Sequence, residues 1–183
     1  MVLESVQFAG IELAIAPGRV MSPRPASAAL VEHAVAWLGD RPARVVDVGT
    51  GSGAVAVALA LRVPAAAIWA TDLDPAAVVL TRLNARLHGV EERVHVRGGD
   101  LLEPTQGRFA AIVANLPYLP RSERSRYPDL GREPAHAVFA AGDGLGPYRR
   151  LLAEAGRRLL PGGLLLVQLH ARVYALAAAS LAA

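Results

Sequence analysis

Residues 45–53 read Val-Val-Asp-Val-Gly-Thr-Gly-Ser-Gly, and an alanine-rich stretch from Ala54 to about Arg62 follows. A short β-branched run that stops in a glycine-rich turn and passes into a helix is the opening unit of an alternating α/β chain. The unit recurs downstream. Ala67–Thr71 predicts a second strand, and Asp72-Leu73-Asp74-Pro75 opens a second helix reaching about His88. Asp74 suits the N-cap there, with proline at the first helical position. Val94–Val96 predicts a third strand running out towards Asp100, and 109–114 a fourth. A long Arg- and Pro-bearing loop covers 117–143, and a helix runs from about Pro147 to Leu160. Pro161-Gly162-Gly163 then turns into a fifth strand over 164–169, and a last helix occupies about 171–182.

Strands that alternate with helices predict an α/β fold with a doubly wound, mainly parallel sheet. The strands are near-continuous apolar runs, as expected where helices cover both faces. In such a sheet ligands bind beyond the carboxyl ends of the strands, where the strand order switches direction. Asp47 with its glycines, Asp72, Asp100 and Asn115 all fall at those ends.

Composition narrows the function classes. The chain has 183 residues, of which 53% are apolar and 19% charged, as expected for a single globular domain over 1–183. It contains no cysteine, which excludes disulfide and thiolate chemistry. No uninterrupted apolar run approaches the length of a membrane span. The start, Met-Val-Leu-Glu-Ser-Val-Gln, lacks the basic and apolar regions of a signal peptide, so a cytoplasmic location is expected. All 19 basic residues are arginine, and the net charge of +3 permits contact with RNA or another acidic partner without requiring it. The five histidines show no ligand spacing, so no metal is expected.

The glycine turn and the acids around it suggest a cofactor. Glycine admits positive φ and close backbone approach, and the helix that follows presents unpaired N–H groups. Gly49, Thr50, Gly51, Ser52 and Gly53 therefore form a candidate binding loop. Asp72, beside Leu73 and 23 positions after Gly49, can accept both hydroxyls of a ribose. Asp47 suits a cationic amino-acid tail and would repel a pyrophosphate, which favours S-adenosylmethionine over a dinucleotide. Asp100 can accept an adenine amine, and Leu101 can pack on the ring.

Asn115-Leu116-Pro117-Tyr118 ends the fourth apolar run. The Asn115 side-chain oxygen and the next backbone carbonyl can each accept one N–H of an NH₂ group, and the Tyr118 ring can lie against a planar acceptor. A conjugated nitrogen is a weak nucleophile, so this arrangement suits catalysis by alignment with a methyl donor. Arg121, Arg124, Arg126 and Arg132 flank this site. Glu123, Asp129 and Glu133 interleave with them, so a solvated loop is expected.

Taken in order, these segments resemble class I S-adenosylmethionine-dependent methyltransferases and, more narrowly, the HemK/PrmC group that methylates a glutamine amide in peptide-chain release factors. The resemblance rests on Phe8-Ala-Gly, Pro23-Arg24-Pro25, Asp47–Gly53, Thr71-Asp72, Gly99-Asp100-Leu101 and Asn115–Tyr118. It continues through Glu133-Pro134, Gly142-Asp-Gly-Leu145, Tyr148-Arg149 and Leu160-Pro-Gly-Gly163. It implies S-adenosylmethionine on the 49–53 loop and Asp72, with S-adenosylhomocysteine as product. Asn115 would touch both cofactor and target, while the Leu116 carbonyl, Pro117 and Tyr118 would hold the amide. Residues 1–40 would form a segment covering the cofactor, and 41–183 the Rossmann-like core.

Several features depart from the group. Its tetrapeptide is usually Asn-Pro-Pro-Tyr, and here Leu116 takes the second place; Asn-Leu-Pro-Tyr also resembles the motif of adenine dimethyltransferases acting on ribosomal RNA. Gln168 stands where the group tends to carry Glu. The N-terminal helical domain of bacterial members and the last antiparallel strand pair are expected to be absent. The chain looks more like the short archaeal and eukaryotic-type members, some of which require a small zinc-binding partner, so a small activating partner is expected, or a homodimer that completes the sheet. An adenine amino-methyltransferase on RNA or DNA, and a catalytically silent cofactor- or partner-binding module, are the alternative readings.

Overall fold

The computed structural model describes residues 2–169. Its centre is a five-stranded parallel sheet built from β3 (Ala43–Val48), β4 (Ala66–Asp72), β5 (Val94–Gly98), β6 (Phe109–Ala114) and β9 (Leu159–Val167), in the order β5-β4-β3-β6-β9. The chain winds outward from β3 through β4 to β5, then crosses back to place β6 on the other side of β3. The strand order therefore reverses between β3 and β6, and Val48 pairs with Ala114 across that line. Gly49 and Asn115, the next residue of each strand, leave the sheet side by side. This register joins the glycine loop to the Asn115 motif, although more than sixty positions separate them in the sequence.

Alternate strand residues point to opposite faces. Val45, Ala111 and Val113 join a core with α1 (Ala28–Leu38) and α2 (Ala54–Arg62). Val46, Val48, Ile112 and Ala114 join a second core with Tyr148, Leu151 and Ala155 of α5 (Gly146–Arg158). The third main helix, α3 (Pro75–Leu87), begins as the sequence predicts: the Asp74 carboxylate accepts the Ala76 N–H at 2.9 Å. Ile112 is fully buried, so truncation to alanine would cost ~2–5 kcal/mol.

The structure also differs from the sequence reading. Residues 1–40 divide into three parts. An antiparallel hairpin joins β1 (Glu4–Phe8) to β2 (Ile11–Ile15) through Ala9 and Gly10, both at positive φ. A strap over 16–27 follows, and α1 packs into the sheet core. The 117–143 loop is organised. It carries β7 (Leu119–Pro120), two 3₁₀ turns (Arg121–Arg126 and Pro128–Leu130), α4 (Ala135–Val138) and β8 (Phe139–Ala140), with β7 and β8 paired in parallel. The helix α5 ends at Arg158, and β9 starts at Leu159 rather than 164. Pro161-Gly162-Gly163 lies inside that strand as an irregularity: Phe109 pairs with Leu159, whereas Ala111 pairs with Leu164. The helix predicted at 171–182, and the question of how the sheet ends, lie outside the described residues. Among the described residues no helix is long and apolar enough to cross a membrane.

Candidate active site

Three cavities meet at the carboxyl edge of the sheet. The first, about 390 Å³, is lined by Gly49, Gly51, Asp72, Leu73, Asp100 and Leu101 on one side and by Asn115, Leu116 and Pro117 on the other. A recess of about 60 Å³ holds Asp47, Thr50, Ser52 and again Asn115 under the strap residues Met21–Arg24 and Ser27. The third, about 560 Å³, is bounded by Asn115–Leu119, Arg126, Tyr127 and Gln168. Asn115 lines all three, and Tyr118 lines only the third. Gly53 lines none of them. It caps α2 at φ 81°, where an added Cβ would lie 2.8 Å from Thr81 Cγ2.

The acids are fixed by backbone donors. Asp72 Oδ2 accepts the Gly51 N–H and Oδ1 the Asp74 N–H, each at 2.9 Å. Each oxygen keeps a lone pair for a further donor. Burial raises the Asp72 pKa above the usual carboxylate value, against the pull of those two N–H groups. Asp47 is more extreme. Only 3% of it is exposed, and burial pushes its pKa up to about 7, although Oδ2 accepts the Thr50 hydroxyl at 2.7 Å and the Ala56 N–H at 3.2 Å. A cation placed beside a buried acid of raised pKa would favour its ionised form. Asp100 pairs with Arg150 at the far end of the first cavity.

Leu116 ties the glycine loop to the Asn115 motif. Gly49 has φ 72°, and an added Cβ would lie 2.7 Å from Leu116 Cδ2. The glycine therefore gives both the left-handed turn and the room in which the Leu116 side chain packs.

Comparisons with known proteins bear on the fold and on the kind of reaction. Residues 32–117 match the family model described as ribosomal protein L11 methyltransferase (PrmA). The release factor glutamine methyltransferase of Deinococcus radiodurans is 41% identical over 170 residues, covering 91% of this chain and 60% of the relative. That of Gloeobacter violaceus is 38% identical over 173 residues, covering 92% and 60%. Among solved structures, the ribosomal protein L11 methylase of Lactobacillus delbrueckii subsp. bulgaricus superposes with a TM-score of 0.66 at 21% identity, over 89% of this chain and 70% of that one. The T. thermophilus 16S rRNA N2 G1207 methyltransferase (RsmC), in complex with AdoMet and guanosine, gives 0.66 at 22% identity, over 91% and 41%. The chain is similar to release factor glutamine methyltransferases over about nine-tenths of its own length. It spans 60% of the length of these two curated relatives. The two structural likenesses, at their identities, show the fold alone.

The domain uses residues that the sequence reading left without a role. Ser27, only 5% exposed, accepts the Asn115 Nδ2–H at 3.0 Å and so fixes the rotamer of that side chain. The amide oxygen of Asn115 is left unengaged among the described residues. Glu133 holds the strap down: Oε2 accepts the Ser22 N–H at 3.2 Å and Oε1 pairs with Arg24 at 3.3 Å. Arg24 is thus a clasp and not a free surface charge. A second clasp forms over the first cavity, where Asp74 receives Arg19 at 2.8 Å and His136 at 3.2 Å. Gln168 lines the third cavity, and among the described residues its buried Oε1 has no hydrogen-bond partner. Of the flanking arginines, Arg126 pairs with Glu123 at 3.3 Å, and Arg121, Arg124 and Arg132 are exposed.

Proposed function

We propose that this chain transfers a methyl group from S-adenosylmethionine to the side-chain amide nitrogen of a glutamine in a protein, specifically a peptide-chain release factor. The observation that carries the proposal is the position of Asn115 where all three cavities meet, with its amide nitrogen held by Ser27 and its amide oxygen unengaged. The cofactor side fits S-adenosylmethionine. The buried Asp47 recess suits a cationic amino-acid tail. The carboxylate of Asp72, with one lone pair left on each oxygen, suits the ribose hydroxyls. Asp100 and Leu101 suit the adenine at the distal end of the first cavity. The names carried by the relatives favour glutamine in a release factor as the acceptor.

S-adenosylmethionine supplies a methyl group on a sulfonium, already activated towards transfer. The remaining task for the protein is alignment in a dry site. Asn115 Oδ1 takes one N–H of the target amide and the Leu116 carbonyl takes the other. The Tyr118 ring, half-buried on the third cavity, covers the amide plane. Burial raises the Tyr118 pKa, so the ring stays neutral as a packing surface. No residue has to remove a proton before attack, because the alkylated nitrogen loses it afterwards to water.

The test is transfer of labelled methyl to a release factor, to the same factor with its glutamine replaced, to ribosomal RNA and to duplex DNA. Label on the intact factor alone supports the proposal. Label on RNA or DNA would move the chain to the adenine amino-methyltransferases. Cofactor binding with no transfer at all would support a silent module or a requirement for a partner chain.

A further inference from the structure

Leu116 and Tyr148 are linked by an interaction that a proline at position 116 could not make. Tyr148 sits on α5, is fully buried, and has its hydroxyl at the edge of the sheet. The Leu116 N–H donates to that hydroxyl at 3.0 Å. The same oxygen lies 2.6 Å from the Gln168 carbonyl and 3.1 Å from the Leu116 carbonyl. A phenol has one proton to give, and the shorter contact takes it, so the Leu116 carbonyl retains its acceptor capacity. Gln168 in turn donates its N–H to the Ala114 carbonyl at 3.0 Å. One buried hydroxyl therefore ties the exits of β6 and β9 together beneath the Asn115 motif. From above, the Leu116 side chain is held against Gly49.

We propose that Tyr148 is a positioning residue for the target amide: its hydroxyl anchors the Leu116 peptide, so that the Leu116 carbonyl is presented to the acceptor N–H. The inference rests on the proposed function. It goes further by assigning to the buried Tyr148 hydroxyl a hold on the second residue of the tetrapeptide that a leucine N–H can make and a proline cannot. A proline at 116 has no N–H and a fixed φ, and would not need the anchor. No ring fixes the φ of Leu116, so the hydrogen bond adds to the restraint that Pro117 and the packing against Gly49 already give. Loss of the hydroxyl would leave the peptide able to turn its carbonyl away from the substrate. The cofactor loop would be untouched.

The experiment is a double-mutant cycle of Tyr148→Phe and Leu116→Pro on the full chain, with release factor as substrate. Tyr148→Phe keeps the ring and its packing, so it isolates the hydroxyl. The expected loss in kcat on Tyr148→Phe is about tenfold in the Leu116 background and less than about threefold in the Leu116→Pro background, with the Kd for S-adenosylmethionine changed by Tyr148→Phe no more than about twofold in either. Amide hydrogen exchange gives a readout independent of the acceptor: the Leu116 N–H should exchange at least about tenfold faster in Tyr148→Phe. Equal kcat losses in both backgrounds, or an unchanged Leu116 exchange rate, would overturn the anchor. If the unsubstituted chain transfers no methyl to glutamine, the proposed function falls, and with it the role given to Tyr148. If it transfers and Tyr148→Phe transfers equally well, only that role falls.

Discussion

Cofactor affinity should depend on pH through Asp47, and Asp47→Asn should remove that dependence. In the free chain, burial holds the Asp47 pKa at about 7. A cofactor ammonium in the recess would favour the carboxylate and draw the pKa back towards its ordinary value. The free chain then binds the proton more tightly than the complex does, so the cofactor competes with a proton. The apparent Kd should be about twofold above its alkaline limit at pH 7, about tenfold above it at pH 6 and about a hundredfold above it at pH 5. The asparagine variant lacks the charge. It should bind roughly 10- to 100-fold more weakly at pH 8, the cost of losing one charge-assisted contact, and should lack the steep acid limb. Isothermal titration with S-adenosylhomocysteine between pH 5.5 and 8.5 measures both curves, and repeating it in buffers of different ionisation enthalpy counts the released proton. The same group sets the sign of a stability effect in the free chain. Its raised pKa contributes stability that is complete below the ordinary carboxylate range and is lost as pH rises through about 7. The difference in stability between wild type and variant should follow that direction. Parallel binding curves for the two proteins, or tighter wild-type binding at acid pH, would refute the reasoning.

Other substitutions test neighbouring parts of the site. Asn115→Ala removes the acceptor for the target and frees Ser27; kcat should fall by about 10²- to 10³-fold while the Kd for S-adenosylmethionine changes only a few-fold, read by steady-state transfer and calorimetry. Gly49→Ala combines a left-handed backbone with a methyl 2.7 Å from Leu116 Cδ2, so it should destabilise the fold by about 2–4 kcal/mol. Made in a Leu116→Ala background, the same change should cost only the backbone part, about 1–2 kcal/mol, as measured by urea unfolding.

Much of the sheet and the glycine loop was legible because local chemistry specifies them. Val45–Gly53 carries its strand, turn and helix start in nine residues, and Asp74-Pro75 announces α3 by its cap. The hairpin over 4–15 was legible in principle, since Val6 and Phe8 alternate with polar residues and Ala-Gly supplies the turn. The buried faces of α1, Leu30, Val31, Ala34 and Leu38, also recur at helical spacing. The sequence reading took neither as an element. The roles of Ser27, Glu133 and Tyr148 had no local signal. Ser27 meets Asn115 across 88 positions, Glu133 meets the strap across 109 and 111, and Tyr148 meets Leu116 across 32. Tertiary packing around the exit of β6, with no local pattern, brings such pairs together. The short β7 and β8 were hidden for a related reason: two-residue strands have no periodicity, and they exist through their pairing with each other.

The most direct test of the site is tandem mass spectrometry of a release factor after incubation with S-adenosylmethionine and either the unsubstituted chain or Asn115→Ala. The geometry around Asn115 predicts one methyl on the side-chain nitrogen of a single glutamine with the unsubstituted chain, and none above background with the variant. A methyl on any other atom, or equal modification by the two proteins, would contradict it.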